Sequence, residues 1–274
     1  MGVEQDVAAY YTRGTLAEKI LGALRSAGKN VEQLSPDELA PLDNFHVGGR
    51  EATEDLAGFM ELQPGMHLLD VGCGIGGPAR FFAGQGCRVT GIDLTDEFVR
   101  TAESLTRMVR LDRHAQFRQA SALNLPFEPG TFDAAYMIHV GMNIEDKPGV
   151  FREVARVLKP GGRFAIFDIM GNGHGTLHFP LPWAHGPATS FVAGTEEYRQ
   201  ALETAGFRID HQRDRRQFAI DFTKRMMGRI AASTRPVLGV HLLMGEQAPV
   251  MMKNVMAAIS SGALEPVELV ARRS

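Results

Sequence analysis

The segment LLDVGCGIGG (68–77) concentrates the residues of this chain that could do chemistry. Gly72, Gly74, Gly76 and Gly77 follow an acid, Asp70, that closes a short apolar run. Glycines so placed make a tight turn and let backbone approach a ligand closely. Two spacings overlap. Gly72, Gly74 and Gly77 match the dinucleotide pattern G-x-G-x-x-G, a weak signal when it stands alone. Asp70, Gly72, Gly74 and Gly76 match Asp-x-Gly-x-Gly-x-Gly. The acid separates the two readings. A pyrophosphate brings negative charge to the helix that follows such a turn, and a carboxylate beside it is repulsive. A ligand with a cationic amino group and no phosphate is attracted instead.

A second acid, Asp93, ends the next apolar run, CRVTGIDL (87–94), where a carboxylate can accept both hydroxyls of a ribose. Asp93 suits NAD and S-adenosylmethionine alike, but S-adenosylmethionine, with an α-amino group, a sulfonium, a ribose and no phosphate, suits both acids. The sequence predicts it as the cofactor.

The elements that must hold these residues follow from periodicity. MHLLDVGC (66–73), CRVTGIDL (87–94), AQFRQAS (115–121), FDAAYMI (132–138) and RFAIFDIM (163–170) read as strands. Between them PARFFAGQG (78–86), TDEFVRTAESLTRMVRL (95–111) and PGVFREVARVLK (148–159) read as helices, the last followed by a Pro-Gly-Gly turn. Strands alternating with helices predict a parallel sheet covered on both faces. Residues 1–62 form a predicted N-terminal helical cap. In it Leu16, Ile20, Leu21 and Leu24 share one face, and Ser35 caps a helix with Pro36 at its first position. The core is expected over 63–221, beginning its last part with a helix into a strand at 195–209. A methionine-rich helical lid is expected over 222–262 and a last strand over 263–274.

Composition narrows the class further. With 29 Lys+Arg against 32 Asp+Glu in 274 residues, the net charge is −3, which gives no basic footprint for nucleic acid or anionic membrane. The two cysteines, Cys73 and Cys87, make no disulfide framework. The first residues lack a signal-peptide pattern, and no run approaches the ~18 apolar residues of a membrane span. A cytoplasmic protein acting on a small-molecule acceptor, with no nucleic-acid or membrane partner, is expected. The sequence leaves its oligomeric state open.

LLDVGCGIGG, TGIDLTDEFV, LNLPFEPGTFD and EVARVLKPGGRFAIFD, in this order and spacing, resemble the class I S-adenosylmethionine-dependent methyltransferases. The resemblance covers 66–170 and is nearest to the small-molecule (type 11-like) branch. It implies a Rossmann-like α/β fold: a seven-stranded, mostly parallel sheet between helices, its last strand antiparallel, with helical caps at both ends. It also implies roles. Asp70, Gly72 and Gly74 would hold the methionine end and Asp93 the ribose. Leu94 would pack on the adenine and Ala122 would meet its edge. The branch often has Asp before that alanine; here it is Ser121, whose hydroxyl accepts a weaker hydrogen bond than a carboxylate. DNFHVGGREATEDLA (43–57) resembles the helical cover over the cofactor and brings His46 to it. Asp93→Ala is expected to weaken cofactor binding while leaving the melting temperature of the free protein nearly unchanged.

The acceptor is expected outside the carboxyl ends of the strands. There MIHVGMN (137–143) places His139 and Asn143 toward the transferred methyl. His139 is the candidate base, since an imidazole titrates near neutral pH, or it positions the cofactor instead. The loop GNGHGTLHFPLPWAHGP (171–187) adds His178 and Trp183 as acceptor contacts. His174 and His178 are four apart but lack a Glu partner, so no metal site is expected. Tyr11, with Tyr10, Tyr136 and Trp183, could cage a cationic nitrogen or serve as core aromatics. Two alternatives to methyl transfer remain: a non-methylating enzyme using bound S-adenosylmethionine on this fold, and a cofactor-binding protein without chemistry.

Overall fold

Strand order reverses between two neighbouring strands at the centre of the sheet, and that reversal fixes where a ligand can sit. The computed structural model describes residues 2–12, 14–43, 46–232, 237–239 and 241–274. Its strands are β1 (His67–Val71), β2 (Arg88–Asp93), β3 (Ala115–Gln119), β4 (Phe132–Ile138), β5 (Leu158–Gly171), β6 (Phe207–Asp214) and β7 (Leu264–Arg273). They form one sheet in the order β3-β2-β1-β4-β5-β7-β6. β1 to β5 pair in parallel, and β7 runs antiparallel to both β5 and β6. The chain winds outward from β1 to β3, then restarts at β4 on the other side of β1. The crevice at the carboxyl ends of β1 and β4 is the switch point of such a sheet.

Helices cover both faces: α1 (Val3–Tyr11), α2 (Leu16–Ser26), α3 (Pro36–Asp43), α4 (Gly49–Gly58), α5 (Gly77–Gly84), α6 (Asp96–Met108), α7 (Lys147–Val157), α8 (Thr195–Thr204), α9 (Arg216–Ala232), α10 (His241–Met244) and α11 (Ala248–Ser261). The central strands are apolar without alternation because both their faces are buried. Leu69, Val71, Ala135 and Met137 pack on one side under α7 and α8, while Leu68, Ala134 and Tyr136 pack on the other with Ala79 and Phe82 of α5. The edge strand β3 does alternate: Ala115 and Phe117 are buried and Gln116, Arg118 and Gln119 are exposed. No described helix is long and apolar enough to cross a membrane.

The N-terminal cap seats on this core through the face expected from its spacing. Leu16, Ile20 and Leu24 are buried against Phe98, Leu105 and Val109 and against Ile75 of the glycine turn; Leu21 is half-buried. Glu97, in the first turn of α6, accepts from the Gly14 and Leu16 N–H groups at 2.8 Å each, which ties the cap to the helix after β2. On the opposite side Arg215 bridges Glu268 of β7 at 3.0 Å and Asp55 of α4 at 2.6 Å, and so anchors α4 to the sheet.

Two boundaries differ from the sequence expectation. α7 ends at Val157, and the Pro-Gly-Gly segment lies inside β5 as a bulge: Phe132 pairs with Leu158, then Ala134 with Arg163. Gly161 has φ +76°, and a side chain at Gly162 would press on the Asp133 and Lys159 carbonyls, so the glycines serve the bulge. α9 begins at Arg216, inside the stretch assigned to the core, so the first lid helix grows directly from the end of β6. Residues 233–236 and 240 of the expected lid, and 44–45 of the expected cofactor cover, lie outside the described residues.

Candidate active site

Asp70 ends β1 beside Gly91 of β2 and Tyr136 of β4, and it is 2 % exposed. Its Oδ2 and the Tyr136 hydroxyl are both buried without a well-formed hydrogen bond, although the hydroxyl lies close enough to favour the ionised acid. Burial, with the charge of Asp93 nearby, pushes the Asp70 carboxyl up to about 8. A buried polar atom left unpaired is costly, and carboxylates in that condition await a donor. The charge that would relieve this one is positive.

The turn after Asp70 is held by the neighbouring strand. Gly72 and Cys73 donate to the Ile92 carbonyl at 2.8 Å each, and Gly74 N–H donates to Asp93 Oδ2 at 2.8 Å. Gly72 has φ +74°, and a Cβ there would overlap the Val140 methyls. The turn is thus packed directly against the loop after β4. Gly74 has φ +53°, and a Cβ there would meet open space. This leaves half-buried backbone with open space beside it, where a ligand could approach closely. Gly91 is a further constraint, for a side chain there would meet Cys73 at 2.7 Å and Phe117 at 2.8 Å.

Asp93 does more than face outward. Besides Gly74, it accepts from the Thr95 N–H at 2.9 Å, so one carboxylate joins the glycine turn to the start of α6. Burial raises its carboxyl above the usual range. Leu94 is half-buried beside it, its carbonyl accepting from the Gln119 side chain. Next along the sheet, Ala120 N–H donates to the Asp93 carbonyl, which sets Ser121 and Ala122 beyond β3. The Ser121 hydroxyl accepts from Leu123 N–H and donates to the carboxylate of Glu4 on α1.

On the other side of the turn, β4 ends in His139 with φ +54°, a strained conformation for a side-chain residue and one that recurs at functional sites. Its Nε2 is buried and unpaired, and its ring lies 4.9 Å from Phe167 and 5.9 Å from His46, centroid to centroid. Burial pushes the His139 imidazole well below its usual range, and that of His46 down to about 4. His46 Nε2 donates to the Gly49 carbonyl at 2.9 Å and lies 3.1 Å from the Thr53 hydroxyl. Both rings are therefore neutral near pH 7.

Asn143 accepts from the Tyr11 hydroxyl at 3.2 Å, which joins α1 to the loop after β4. Tyr10 packs edge-on against both Tyr11 and His185 and donates to the Leu181 carbonyl at 3.0 Å. The other expected acceptor contacts are placed differently. Trp183 is 4 % exposed in a packed cluster with Leu181 and Ile259, its indole N–H donating to Ser190. Tyr136 is buried beside Asp70 on the neighbouring strand, apart from any cage with Tyr10 and Tyr11. His178 is exposed, and no hydrogen bond or ring contact of the described residues joins it to the others.

One buried acid was not singled out from the sequence. Asp168, fully buried near the end of β5, accepts from Gly141 N–H at 2.7 Å, Tyr198 hydroxyl at 2.8 Å and Ile169 N–H at 2.9 Å. Burial pushes its carboxyl up to about 6. Lys147, over the Tyr198 ring, braces the same loop by donating to the Ile144 and Phe191 carbonyls. This network fixes the 141–143 turn, and a side chain at Gly141 would strike both Tyr198 and Asp168. A readable signal existed: like Asp70 and Asp93, Asp168 follows an apolar strand run, FAIFD.

Residues 69–166 match the family model described as a methyltransferase domain. The sterol 24-C-methyltransferase of Candida albicans is 30% identical over 168 residues, which cover 58% of this chain and 44% of that protein. The chain spans about half the length of the curated relatives it matches. Among solved structures, geranyl diphosphate C-methyltransferase from Streptomyces coelicolor A3(2), in complex with Mg2+, geranyl-S-thiolodiphosphate and S-adenosyl-L-homocysteine, superposes with TM-score 0.73 at 19% identity. The match covers 100% of this chain and 99% of that one. The [4+2]-cyclase SpnF superposes with TM-score 0.66 at 23% identity, over 95% and 94%. These structures share the fold, and a fold by itself does not choose a reaction.

Proposed function

We propose that this chain, whose residues 69–166 match the methyltransferase-domain model, transfers a methyl group from S-adenosylmethionine to a small organic acceptor. The observation that carries the reading is the pair of acids around the glycine turn: Asp70 with an unpaired buried oxygen, and Asp93 bound to Gly74 N–H. Asp93, together with Asp70 once a cation draws the proton from its carboxyl, favours a cationic ligand beside open backbone and repels a pyrophosphate. Asp70 and Gly74 hold the amino-acid end, Asp93 the ribose, and Leu94 and Ala122 border the base.

Bound S-adenosylmethionine supplies an electrophilic methyl on a positively charged sulfur. The acceptor must be held roughly 3 Å from that carbon with water excluded. His139, Asn143 and Tyr11 surround the place where this happens, with the 141–143 turn fixed by Asp168. His139 and His46 are desolvated and weakly basic, which favours positioning over proton removal for both. The acceptor atom then brings its own electron pair. A sterol or prenyl acceptor follows the names of the matched methyltransferases. We place the protein in the cytoplasm on its two free, buried cysteines.

The test is incubation with S-adenosylmethionine and a panel of sterol and prenyl acceptors, with S-adenosylhomocysteine and methylated product measured by mass spectrometry. Calorimetry with S-adenosylhomocysteine and NAD runs beside it. Methylated product and selective binding of S-adenosylhomocysteine are expected. Tight cofactor binding with acceptor turnover but no S-adenosylhomocysteine would point to non-methylating chemistry, and comparable NAD binding would remove the electrostatic argument.

A further inference from the structure

Helix α1 is tied by hydrogen bonds to the loops after three strands. Glu4 holds Ser121 after β3, Tyr11 holds Asn143 after β4, and Tyr10 holds the Leu181 carbonyl after β5. Val7, between these anchors, is 8% exposed. The helix therefore lies across the carboxyl ends of the strands, with its first turn over β3 and its last over β4 and β5. Burial and then Tyr10 push the Tyr11 hydroxyl up, with smaller contributions from Asp93 and Asp168, and its bond to Asn143 sets the last turn beside the loop after β4.

The sheet order sets what lies under each end. A nucleoside-bearing ligand whose amino-acid end is on the β1 turn and whose ribose is on Asp93 of β2 continues toward the next strand, β3, and the loop 120–124. The base arrives beneath the first turn of α1. Adenine presents there an exocyclic amino group, two donors and no charge. The loop itself offers Ser121, whose hydroxyl proton is already given to Glu4 and whose oxygen already accepts from Leu123 N–H. Glu4 is the carboxylate at this place. It is an exposed side chain held by one hydrogen bond among the described residues, and a carboxylate has acceptor sites for further donors.

We propose that Glu4, held by Ser121, reads the exocyclic amino group of the cofactor's adenine, so that base specificity comes from the N-terminal helix and not from the domain that binds the methionine end and ribose. The inference rests on the proposed cofactor. It also makes closure of α1 part of cofactor binding, since the same helix carries Tyr10 and Tyr11 to the acceptor side. Cofactor recognition and completion of the acceptor site then occur together.

The experiment compares equilibrium binding of S-adenosylhomocysteine with that of S-inosylhomocysteine, in which a carbonyl oxygen replaces the amino group. It uses the full chain as wild type, Glu4→Ala, Glu4→Gln and Tyr11→Phe. Wild type should prefer the adenosyl ligand by about tenfold or more, the worth of a charge-assisted hydrogen bond plus the repulsion of an oxygen by a carboxylate. Glu4→Ala should lose most of that preference by binding the adenosyl ligand more weakly. Glu4→Gln should bind the two nearly alike, because an amide can turn either end to the base. Tyr11→Phe loosens the helix without touching the base, so it should weaken both ligands equally and keep the ratio. A wild-type ratio retained in Glu4→Ala overturns the role of Glu4 while leaving the cofactor reading intact. Failure of wild type to bind either ligand overturns both.

Discussion

Replacing Asp70 with Asn tests whether the ligand-free protein keeps this acid neutral. The folded protein holds this carboxyl near pKa 8, because it is 2% exposed with Asp93 nearby. In the unfolded chain it titrates near ~3.9. Between about pH 4 and 8 the folded state retains a proton that the unfolded state has released, so wild-type stability falls as pH rises through this window. Two pH units in this window correspond to about 3 kcal/mol. Asn has the same shape and no proton to lose. The stability of Asp70→Asn minus that of wild type should therefore grow by about 3 kcal/mol from pH 5 to 7, or roughly 5–10 °C in melting temperature. Thermal and urea melts of both proteins without ligand at pH 5, 6 and 7 measure it, and the difference cancels other groups that titrate alike in both. A cationic ligand selects the ionised form, so saturating S-adenosylhomocysteine should stabilise wild type and have little effect on the variant. A difference that stays constant from pH 5 to 7 would refute the reasoning, for it would mean that folded Asp70 is already ionised and paired.

Asp93→Ala should destabilise the free protein by about 2–4 kcal/mol as well as weakening cofactor binding, because Gly74 and Thr95 N–H groups lose their acceptor; chemical denaturation checks this correction to the expectation of an unchanged melting temperature. The rate of methyl transfer should show no limb from His139 between pH 6 and 8, since its imidazole stays neutral there; a limb near pH 6.5 that disappears in His139→Ala would restore it as a base. Glycine tolerates the φ of +54° at that position, so His139→Gly should be about 1 kcal/mol more stable than His139→Ala in urea melts. Tyr198→Phe should cost about 1–2 kcal/mol and lower kcat with little change in the Kd for S-adenosylhomocysteine, because it loosens the 141–143 turn and not the glycine turn. A Kd change as large as the kcat change would show that the network serves the whole crevice.

The local sequence determined the parallel core and the glycine turn with its two acids. An apolar run that ends in an acid and four closely spaced glycines can be a strand and a turn wherever it is placed, and Asp70, Gly72, Gly74 and Asp93 stand on contiguous segments that the sheet brings to one crevice. The long apolar stretch RFAIFDIM is likewise a buried strand on its own evidence, although the bulge at Pro160–Gly162 needed the register against β4 to appear. The acceptor side was only partly legible, because it is assembled from loops far apart in the chain. Tyr11 meets Asn143 across 132 positions and Ser121 meets Glu4 across 117, and no periodicity encodes such distances. Trp183 and Tyr136 have the residue type of a binding cage, but tertiary packing spends one on Ser190 and a core cluster and the other on the core beside Asp70. Burial, which sets the protonation of Asp70, His46, His139 and Asp168, is a property of everything folded around a residue, so only the tertiary structure decided which of these groups are charged.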